Sequence, residues 1–235
     1  MTEPKPRVAV VTFPGSNDDH DAALALARLG AEAVPVWHAD RELPDVRAVV
    51  LPGGFSYGDY LRAGALARFA PVMEPLRALA ADGGLVLGIC NGFQVLCEAG
   101  LLPGALRPNH SLSFVCRDVP LTIERTDTPF TARCSKGQRL SIPIKHGEGC
   151  FFAGPELLSE LEASGQIVLR YEGESPNGSV ARIAGLVNAE GNVMGLMPHP
   201  EHAIDALTGS TDGALLLGSL VDAARRIAAA EPTAV

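Results

Sequence analysis

Residues 85–94 read Leu-Val-Leu-Gly-Ile-Cys-Asn-Gly-Phe-Gln, which predicts a buried strand that bends sharply at Cys90 into a helix. Gly88 and Gly92 flank the cysteine and leave room for a strained backbone and for an approaching substrate. At such a bend the sulfur is exposed and faces the positive end of the helix dipole, which lowers the pKa of a thiol. The run therefore predicts a strand–turn–helix unit with Cys90 as a candidate nucleophile. The alternative is a small buried cysteine beside chance glycines.

The first 90 residues alternate short apolar segments with longer helical ones. The predicted strands are residues 7–13, 33–37, 48–51 and 85–89, and the predicted helices are residues 19–29, 59–69 and 72–81. Glycines at position 30 and at positions 83 and 84 follow the helices, as is typical of helix C-termini. This alternation predicts an α/β fold with an open, mostly parallel sheet and helices on both faces.

From about residue 112 the pattern changes to short strands with few helices. The predicted strands are residues 121–124, 140–145, 167–171, 180–188 and 192–197, and the predicted helices are residues 156–163 and 213–229. Ala189-Glu190-Gly191 between two of the strands is a tight hairpin signal. We therefore expect an antiparallel portion at the edge of the sheet. The whole reads as a single domain, residues 7–229, followed by a tail of residues 230–235.

Composition excludes several classes of function. The formal net charge is −8, and no cluster of Lys and Arg is found, so a nucleic-acid-binding surface is not expected. The first apolar run, residues 8–13, is too short for a signal-peptide core or a membrane span, which favours a cytoplasmic location without membrane association. Five cysteines without paired spacing favour reduced thiols over disulfides or a zinc site.

A thiol nucleophile needs a base, and His199 is the best candidate among the six histidines. It stands in Met197-Pro-His-Pro-Glu201, where two prolines hold the backbone extended, so that His199 and Glu201 project from nearly the same side. A carboxylate placed in this way orients an imidazole. The sequence thus predicts a triad in which Cys90 attacks, His199 transfers the proton and Glu201 fixes the tautomer.

Attack on an acyl carbon also requires donors for the developing oxyanion. The N–H of Asn91, at the turn after Cys90, can supply one donor. Pro52-Gly53-Gly54 ends the third predicted strand, so it lies at the same sheet edge as Cys90 and can supply the other. A plain glycine turn is the alternative.

Three further polar segments are less specific. Residues 14–19 either cap a helix or bind an anion, and residues 109–111 are either a polar rim of the pocket or a surface turn. His146 and Glu148 have metal-ligand residue types, but one His and one Glu fall short of a ligand set, so no metal site is expected.

At the level of motifs the chain resembles the class I glutamine amidotransferases, whose triad is Cys-His-Glu. Within them it is similar to the glutaminase subunits of phosphoribosylformylglycinamidine synthase, an enzyme of purine biosynthesis. The blocks that carry this resemblance run from about residue 8 to residue 225. They are Phe13-Pro-Gly-Ser-Asn17, Leu51-Pro-Gly-Gly-Phe-Ser-Tyr-Gly-Asp-Tyr-Leu-Arg-Ala-Gly64, Phe114-Val-Cys-Arg117, His146-Gly-Glu-Gly149, Pro176-Asn-Gly-Ser179 and residues 191–201.

The resemblance implies a flavodoxin-like amidotransferase fold and a role for each site residue. Cys90, His199 and Glu201 would be the triad, and the N–H groups of Gly54 and Asn91 would form the oxyanion hole. The amino-acid end of glutamine would be held by Gln94, Asn109, His110 and Ser111.

The implied reaction releases ammonia from glutamine and passes it to a synthetase subunit. That partner would use ATP and Mg²⁺ to convert formylglycinamide ribonucleotide to its amidine, because this chain has no Walker A loop. A third small subunit is possible, and no cofactor is expected in this chain.

Four positions depart from the family pattern: Asp18, Asp118, Cys150 and His202. None belongs to the triad. Two alternatives stay open at this point: a glutaminase that serves another acceptor, and a catalytically silent flavodoxin-like partner module.

Overall fold

A nine-stranded mixed sheet forms the centre of the molecule, as seen in a computed structural model that describes residues 5–230, apart from the side chain of Thr208. The strands are β1 (Arg7–Thr12), β2 (Glu32–Trp37), β3 (Ala48–Leu51), β4 (Leu85–Ile89), β5 (Ala105–Arg107), β6 (Val115–Ile123), β7 (Arg139–His146), β8 (Cys150–Phe152), β9 (Ile167–Tyr171), β10 (Ile183–Val187) and β11 (Val193–Leu196). The order across the sheet is β2-β1-β3-β4-β11-β10-β9-β6-β7, and β5 and β8 form a separate pair.

Helices flank this sheet. They are α1 (Asp19–Arg28), α2 (Met73–Ala81), α3 (Asn91–Glu98), α4 (Pro155–Ala163) and α5 (Gly213–Ala230). Helix α1 packs on both β1 and α5, and α3 packs on β3, β4 and β11. The α/β fold class is thus confirmed, with the predicted antiparallel portion at one side.

The sheet has a parallel half and an antiparallel half. Strands β2, β1, β3, β4 and β11 run parallel to one another, whereas β10, β9, β6 and β7 continue the sheet in antiparallel pairs. Every residue of β3, β4, β10 and β11 is buried, as expected of strands covered on both faces. The carboxyl ends of the parallel strands meet at one edge, where ligands bind in open α/β sheets.

The register between β4 and β11 brings together the segment of the predicted nucleophile, Cys90, and the segment of the predicted base, His199. Gly88 pairs with Gly195 and Ile89 pairs with Leu196, so the segments that follow both strands leave the sheet side by side. Since Cys90 comes directly after β4 and His199 comes shortly after β11, hydrogen bonding of the sheet brings the predicted nucleophile and base to one edge.

The predicted helix at 59–69 is wrong. The chain forms two short 3-10 turns, Ser56–Asp59 and Ala67–Phe69, joined by irregular backbone. Asp59 and Leu61 have left-handed φ values of 54° and 71°, which no α-helix accepts. Tertiary contacts outweigh helix propensity here, because the N–H of Tyr57 donates to the carbonyl of Pro14 in the loop after β1.

The ends of several other helices and strands differ by a few residues from the predicted ones. Strand β6 begins at Val115, earlier than expected, and β10 begins at Ile183, after a short turn. Helix α5 includes Ala230, one residue past its predicted end, and the rest of the predicted tail, 231–235, lies outside the described residues. Within residues 5–230 no helix is both long and apolar enough to cross a membrane.

Candidate active site

Cys90 occupies a strained position between β4 and α3. Its φ of 50° and ψ of −102° are rare for a residue with a side chain. The N–H of Cys90 donates to the carbonyl of Leu196 at 2.8 Å, which fixes the bend against β11. A Cβ atom on Gly92 would collide with the carbonyl of Leu51, so the close approach of α3 to β3 requires glycine there. The sharp turn predicted from the sequence is therefore present.

His199 and Glu201 lie in direct contact, as the two prolines led us to expect. Nδ1 of His199 is 2.6 Å from Oε1 of Glu201, and both side chains are buried. The N–H of His199 donates to the carbonyl of Pro143 at 2.8 Å, so β7 supports the loop that carries the imidazole.

The surroundings of His199 make it a stronger base than a free imidazole. Burial by itself lowers its pKa, but the neighbouring Glu201 carboxylate and the Cys90 sulfur raise the pKa of His199 to about 10. Its Nε2 is completely buried and has no hydrogen-bond partner within the described part of the chain. Cys90 and His199 line the same cavity, so the Nε2 atom is available to take a proton there.

Asp18 is a second carboxylate at the base, and its role was not predicted. Its Oδ2 lies 3.6 Å from Nδ1 of His199, and its Oδ1 lies 2.5 Å from Nζ of Lys145 and 3.3 Å from Nε2 of His202. Burial raises the pKa of Asp18, but His202, His199 and Lys145 outweigh burial and hold that pKa well below its usual range. Asp18 is therefore a fixed negative charge beside the base.

Packing explains the glycine at position 53. A Cβ atom there would collide with Oδ2 of Asp18 and with Cε1 of His199. Gly53 also accepts hydrogen bonds from the N–H groups of Asn17 and Asp18, at 3.1 and 3.2 Å. Residues 14–19 thus hold Asp18 against the base, in addition to leading into α1.

One group of side chains in the described chain has donor atoms close enough to hold a cation. These donors, all within 4.8 Å of one another, belong to Asp18, His199, Glu201 and His202. The contacts within the group are those of an ion-pair network, and the Lys145 ammonium already lies on Asp18. The expectation of no metal stays a prediction.

Of the predicted oxyanion donors, Asn91 directly follows the nucleophile in the chain, and Gly54 belongs to a separate segment. Gly54 lines the cavity together with Cys90, and it has a φ of 148°. Asn91 is the first residue of α3, where a backbone N–H has no acceptor within the helix. The Asn91 side chain connects the two segments, because its Oδ1 accepts from the N–H of Ser56 at 3.2 Å. Their function as an oxyanion hole stays a prediction.

The cavity beside Cys90 has a volume of about 270 Å³. Its lining residues are Asn17, Asp18, Gly54, Phe55, Asp59, Cys90, Gln94, Phe114, Lys145, His146, Gly147, Glu148 and His199. All three predicted triad groups therefore lie in or directly behind its wall.

Gln94 lines this cavity, but its amide is engaged within the protein. Its Nε2 donates to the carbonyl of Glu148 at 2.6 Å, and its Oε1 accepts from Nδ2 of Asn91 at 2.9 Å. Gln94 thus connects the start of α3 to the segment after β7.

The structure does not bring Asn109, His110 and Ser111 to the cavity. Asn109 is completely buried, and its side chain bonds to the carbonyl of His146 and to the N–H of Gly149. His110 and Ser111 are exposed and lie outside the cavity lining. Asn109 thus supplies hydrogen-bond partners for backbone groups of the turn at residues 146–149.

His146 lines the cavity as a neutral imidazole. Burial first, and then His199, lower its pKa to about 4. Its Nδ1 lies 3.1 Å from Oδ1 of Asn109, so it belongs to the same buried network.

Two carboxylates form a second wall, and sequence reasoning assigned no role to either. Asp59 and Glu148 both line the cavity. Burial and the nearby Glu148 raise the pKa of Asp59 to about 6. Asp59 belongs to the motif block Gly-Phe-Ser-Tyr-Gly-Asp-Tyr, and Glu148 belongs to His-Gly-Glu-Gly. These blocks are the sequence signal that could have indicated a role for both residues.

Comparison with known proteins gives a consistent result. Residues 5–213 match the family model of the CobB/CobQ-like glutamine amidotransferase domain. The chain is 58% identical over 219 residues to the phosphoribosylformylglycinamidine synthase subunit PurQ of Rubrobacter xylanophilus, a match that covers 93% of this chain and 99% of that protein.

Solved structures agree with this match. A chain of the PurLQS structure from Thermotoga maritima is 46% identical, with a TM-score of 0.86, and the match covers 93% of this chain and 99% of that one. A putative GMP synthase subunit from Thermoplasma acidophilum shares the fold, with a TM-score of 0.66 at 14% identity, over 97% of this chain and 100% of that one.

Proposed function

Since the chain belongs to the CobB/CobQ-like glutamine amidotransferase family and, within it, to the PurQ subunits of phosphoribosylformylglycinamidine synthase, we propose that it hydrolyses glutamine through Cys90, His199 and Glu201. The chain is a glutaminase subunit of purine biosynthesis. The observation that carries the assignment of the triad is the 2.6 Å contact between His199 and Glu201, in a cavity shared with Cys90. The alternative of a glutaminase for another acceptor is set aside by this family membership.

The reaction begins when Nε2 of His199 takes the thiol proton and the sulfur of Cys90 attacks the side-chain amide carbon of glutamine. The C=O electron pair moves onto oxygen, and we assign the N–H groups of Gly54 and Asn91 to this oxyanion. When the C=O bond re-forms, the C–N bond breaks. His199 returns its proton to the nitrogen, so that ammonia leaves.

The second half of the reaction frees the enzyme. Water adds to the glutamyl thioester while His199 takes one of its protons, and the C–S bond breaks as glutamate forms. The proton then returns to the sulfur of Cys90. Throughout, Glu201 keeps Nδ1 of His199 protonated, so that Nε2 can act as base and then as acid.

The ammonia serves the synthetase subunit of the same complex. We assign ATP and Mg²⁺ to that partner, and we place the complex in the cytoplasm; a third small subunit stays a prediction. The area near the cavity supports docking there, because Phe55 and Phe114, which line the cavity, are exposed and 6.5 Å apart. Tyr60 and Leu61 are also exposed, at 74% and 84%. Exposed apolar groups of this kind mark protein–protein contacts.

The test separates ammonia production from ammonia use. In the complex with its synthetase, Cys90→Ser should lower glutamine-dependent product formation by about a thousandfold or more, since the nucleophile is lost. Added ammonium chloride should restore product formation. Cys116→Ser is the matched control, because Cys116 is exposed and lies outside the cavity lining.

The outcome that rejects the proposal is equally concrete. A Cys90→Ser complex that still consumes glutamine at the wild-type rate would exclude Cys90 as the nucleophile. If neither wild type nor variant consumes glutamine, although both form product from ammonium chloride, the chain is a silent partner module instead.

A further inference from the structure

We propose that Asp59 and Glu148 form the subsite that binds the α-ammonium group of glutamine and so select the free amino acid over peptide-bound or acylated glutamine. This inference rests on the proposed glutaminase function. The pair takes the place of Asn109, His110 and Ser111, which are not among the residues that line the cavity, as the group that holds the amino-acid end.

The first argument is the charge balance of the cavity. The Lys145 ammonium lies 2.5 Å from Asp18, so its charge is already neutralised. Within residues 5–230, Asp59 and Glu148 take part in no ion pair, although both line the same cavity. Two neighbouring carboxylates without a cation repel each other, and a cationic ligand relieves that repulsion.

The electrostatics of Asp59 agree with this arrangement. Burial and the charge of Glu148 together raise its pKa to about 6. The hydrogen bond to Asp59 from Nδ2 of Asn91 is long, at 3.4 Å. The carboxylate thus has unused capacity to accept hydrogen bonds from an ammonium group, which offers three donors.

The second argument is that the cavity is a ligand site on independent grounds. The completely buried Nε2 of His199 has no hydrogen-bond partner among the described residues, and His199 lines this cavity. A buried polar atom without a partner is costly unless a ligand or a reaction uses it. The acidic pair therefore shares one space with the reacting groups.

The third argument is that the wall is held in position from the nucleophile turn. Nδ2 of Asn91, next to Cys90, bonds to Oε1 of Gln94, and Nε2 of Gln94 bonds to the carbonyl of Glu148 at 2.6 Å. Asn91 also donates to Asp59. One chain of hydrogen bonds thus connects the Asp59 carboxylate and the backbone of Glu148 to the nucleophile turn, as a subsite requires when it must align an amide carbon with a sulfur.

The experiment measures ligand binding by calorimetry on the Cys90→Ser chain, alone and in complex with its synthetase, so that it does not depend on turnover. The ligands are L-glutamine and 4-carbamoylbutanoate, which lacks only the α-amino group. Asp59→Asn and Glu148→Gln are made in this background. Asn tolerates left-handed backbone, so the first substitution keeps the φ of 54° at Asp59. Asp82→Asn is the control, since Asp82 is exposed and precedes β4 at the opposite edge of the sheet.

Each cavity substitution should weaken glutamine binding roughly tenfold to a hundredfold, as expected for loss of a charged hydrogen bond, and should leave binding of 4-carbamoylbutanoate nearly unchanged. Asp82→Asn should change neither. N-acetylglutamine should bind as weakly as 4-carbamoylbutanoate to every variant.

Two results overturn the proposal. One is an equal loss for both ligands, which would make the pair structural. The other is binding of ammonium chloride alone as tight as that of glutamine, which would assign the pair to released ammonium. Selective binding of glutamine without turnover in wild type would support the subsite while rejecting hydrolysis. Turnover without discrimination between the ligands would reject the subsite alone.

Discussion

The cavity lining contains carboxylates in two opposite electrostatic environments: Asp18 beside the base, which we call the first wall, and the pair Asp59 and Glu148, the second wall. Asp18, beside the base, contacts Lys145, His199 and His202, and these three neighbours hold its pKa well below the usual range against the effect of burial. Asp59, in the same cavity lining, forms no ion pair within residues 5–230, and burial with the nearby Glu148 raises its pKa to about 6. The charge of Asp18 is balanced by groups of the protein itself, whereas the charges of Asp59 and Glu148 are balanced only when a cationic ligand binds.

The difference separates the two tasks of the site. Charges that act on the proton shuttle must stay constant while substrate enters and leaves, so they are paired inside the protein. Charges that select substrate must be uncompensated in the free protein, or the substrate would gain nothing by binding. Substitutions on the first wall should therefore change the rate of chemistry, and substitutions on the second should change binding.

The largest expected effect is that of Glu201→Gln, which changes the carboxylate in contact with the base. The amide cannot stabilise the imidazolium or hold the proton on Nδ1, so kcat should fall about a hundredfold to ten-thousandfold with little change in KM. Steady-state glutaminase assays of the complex measure both constants.

Glu148→Gln on the second wall is the matched control for Glu201→Gln, because it makes the same chemical change. It should raise KM and leave kcat nearly unchanged. If both variants change only KM, the two walls have no separate roles.

A smaller effect, on stability, should follow from Lys145→Met. The substitution leaves Asp18, whose side chain is 4% exposed, without its ammonium partner. Removal of one member of a buried ion pair costs several kcal/mol, and since Lys145 is partly exposed we expect a loss of about 2 to 3 kcal/mol in the free energy of unfolding.

Urea unfolding at pH 7.5 measures this loss. Lys136→Met is the control, because Lys136 is exposed and lies outside the cavity lining. Equal stabilities of the two variants would mean that the paired wall does not depend on Lys145.

The smallest effect should come from Asp59→Asn, and it should have the opposite sign. The pKa of this carboxyl rises from 3.8 to about 6 on folding, so its ionised form destabilises the folded state at neutral pH. After allowance for solvent screening of a half-buried group, the neutral amide should stabilise the fold by about 1 kcal/mol at pH 7.5.

The pH dependence checks the sign of this effect. As pH falls through about 6, wild type takes up a proton at Asp59 and the advantage of the variant should shrink; below 3.8 it should be gone. Thermal unfolding from pH 7.5 down to pH 4.5 follows this change. A constant difference between the two proteins over that range would contradict the raised pKa.

The parallel half of the sheet and the site at its edge were predictable because their signals are local. The run around Cys90 and the two prolines around His199 each specify backbone geometry within a few residues. The rule that ligand sites form at the carboxyl ends of parallel strands then predicts that these segments meet at one edge.

The second wall was not predictable in the same way. Asp59 is placed by left-handed backbone, and the residues just before it, Phe55 and Tyr57, bond to the loop after β1. Helix propensity over residues 59–69 points to the wrong structure. Likewise, Asp18 meets Lys145 and His202 only after folding, across separations of 127 and 184 residues. Such contacts leave no periodic signal in the sequence.

The pairing of β4 with β11 has a consequence for the chain during its synthesis. The hydrogen bond from Cys90 to Leu196 joins residues that leave the ribosome about 5 to 20 seconds apart at ordinary elongation rates. Throughout that interval β4, a strand of Leu-Val-Leu-Gly-Ile, lacks the neighbour that later covers its edge. The nascent polypeptide therefore carries its reactive thiol without a base, and it carries an unpaired strand edge until β11 is made.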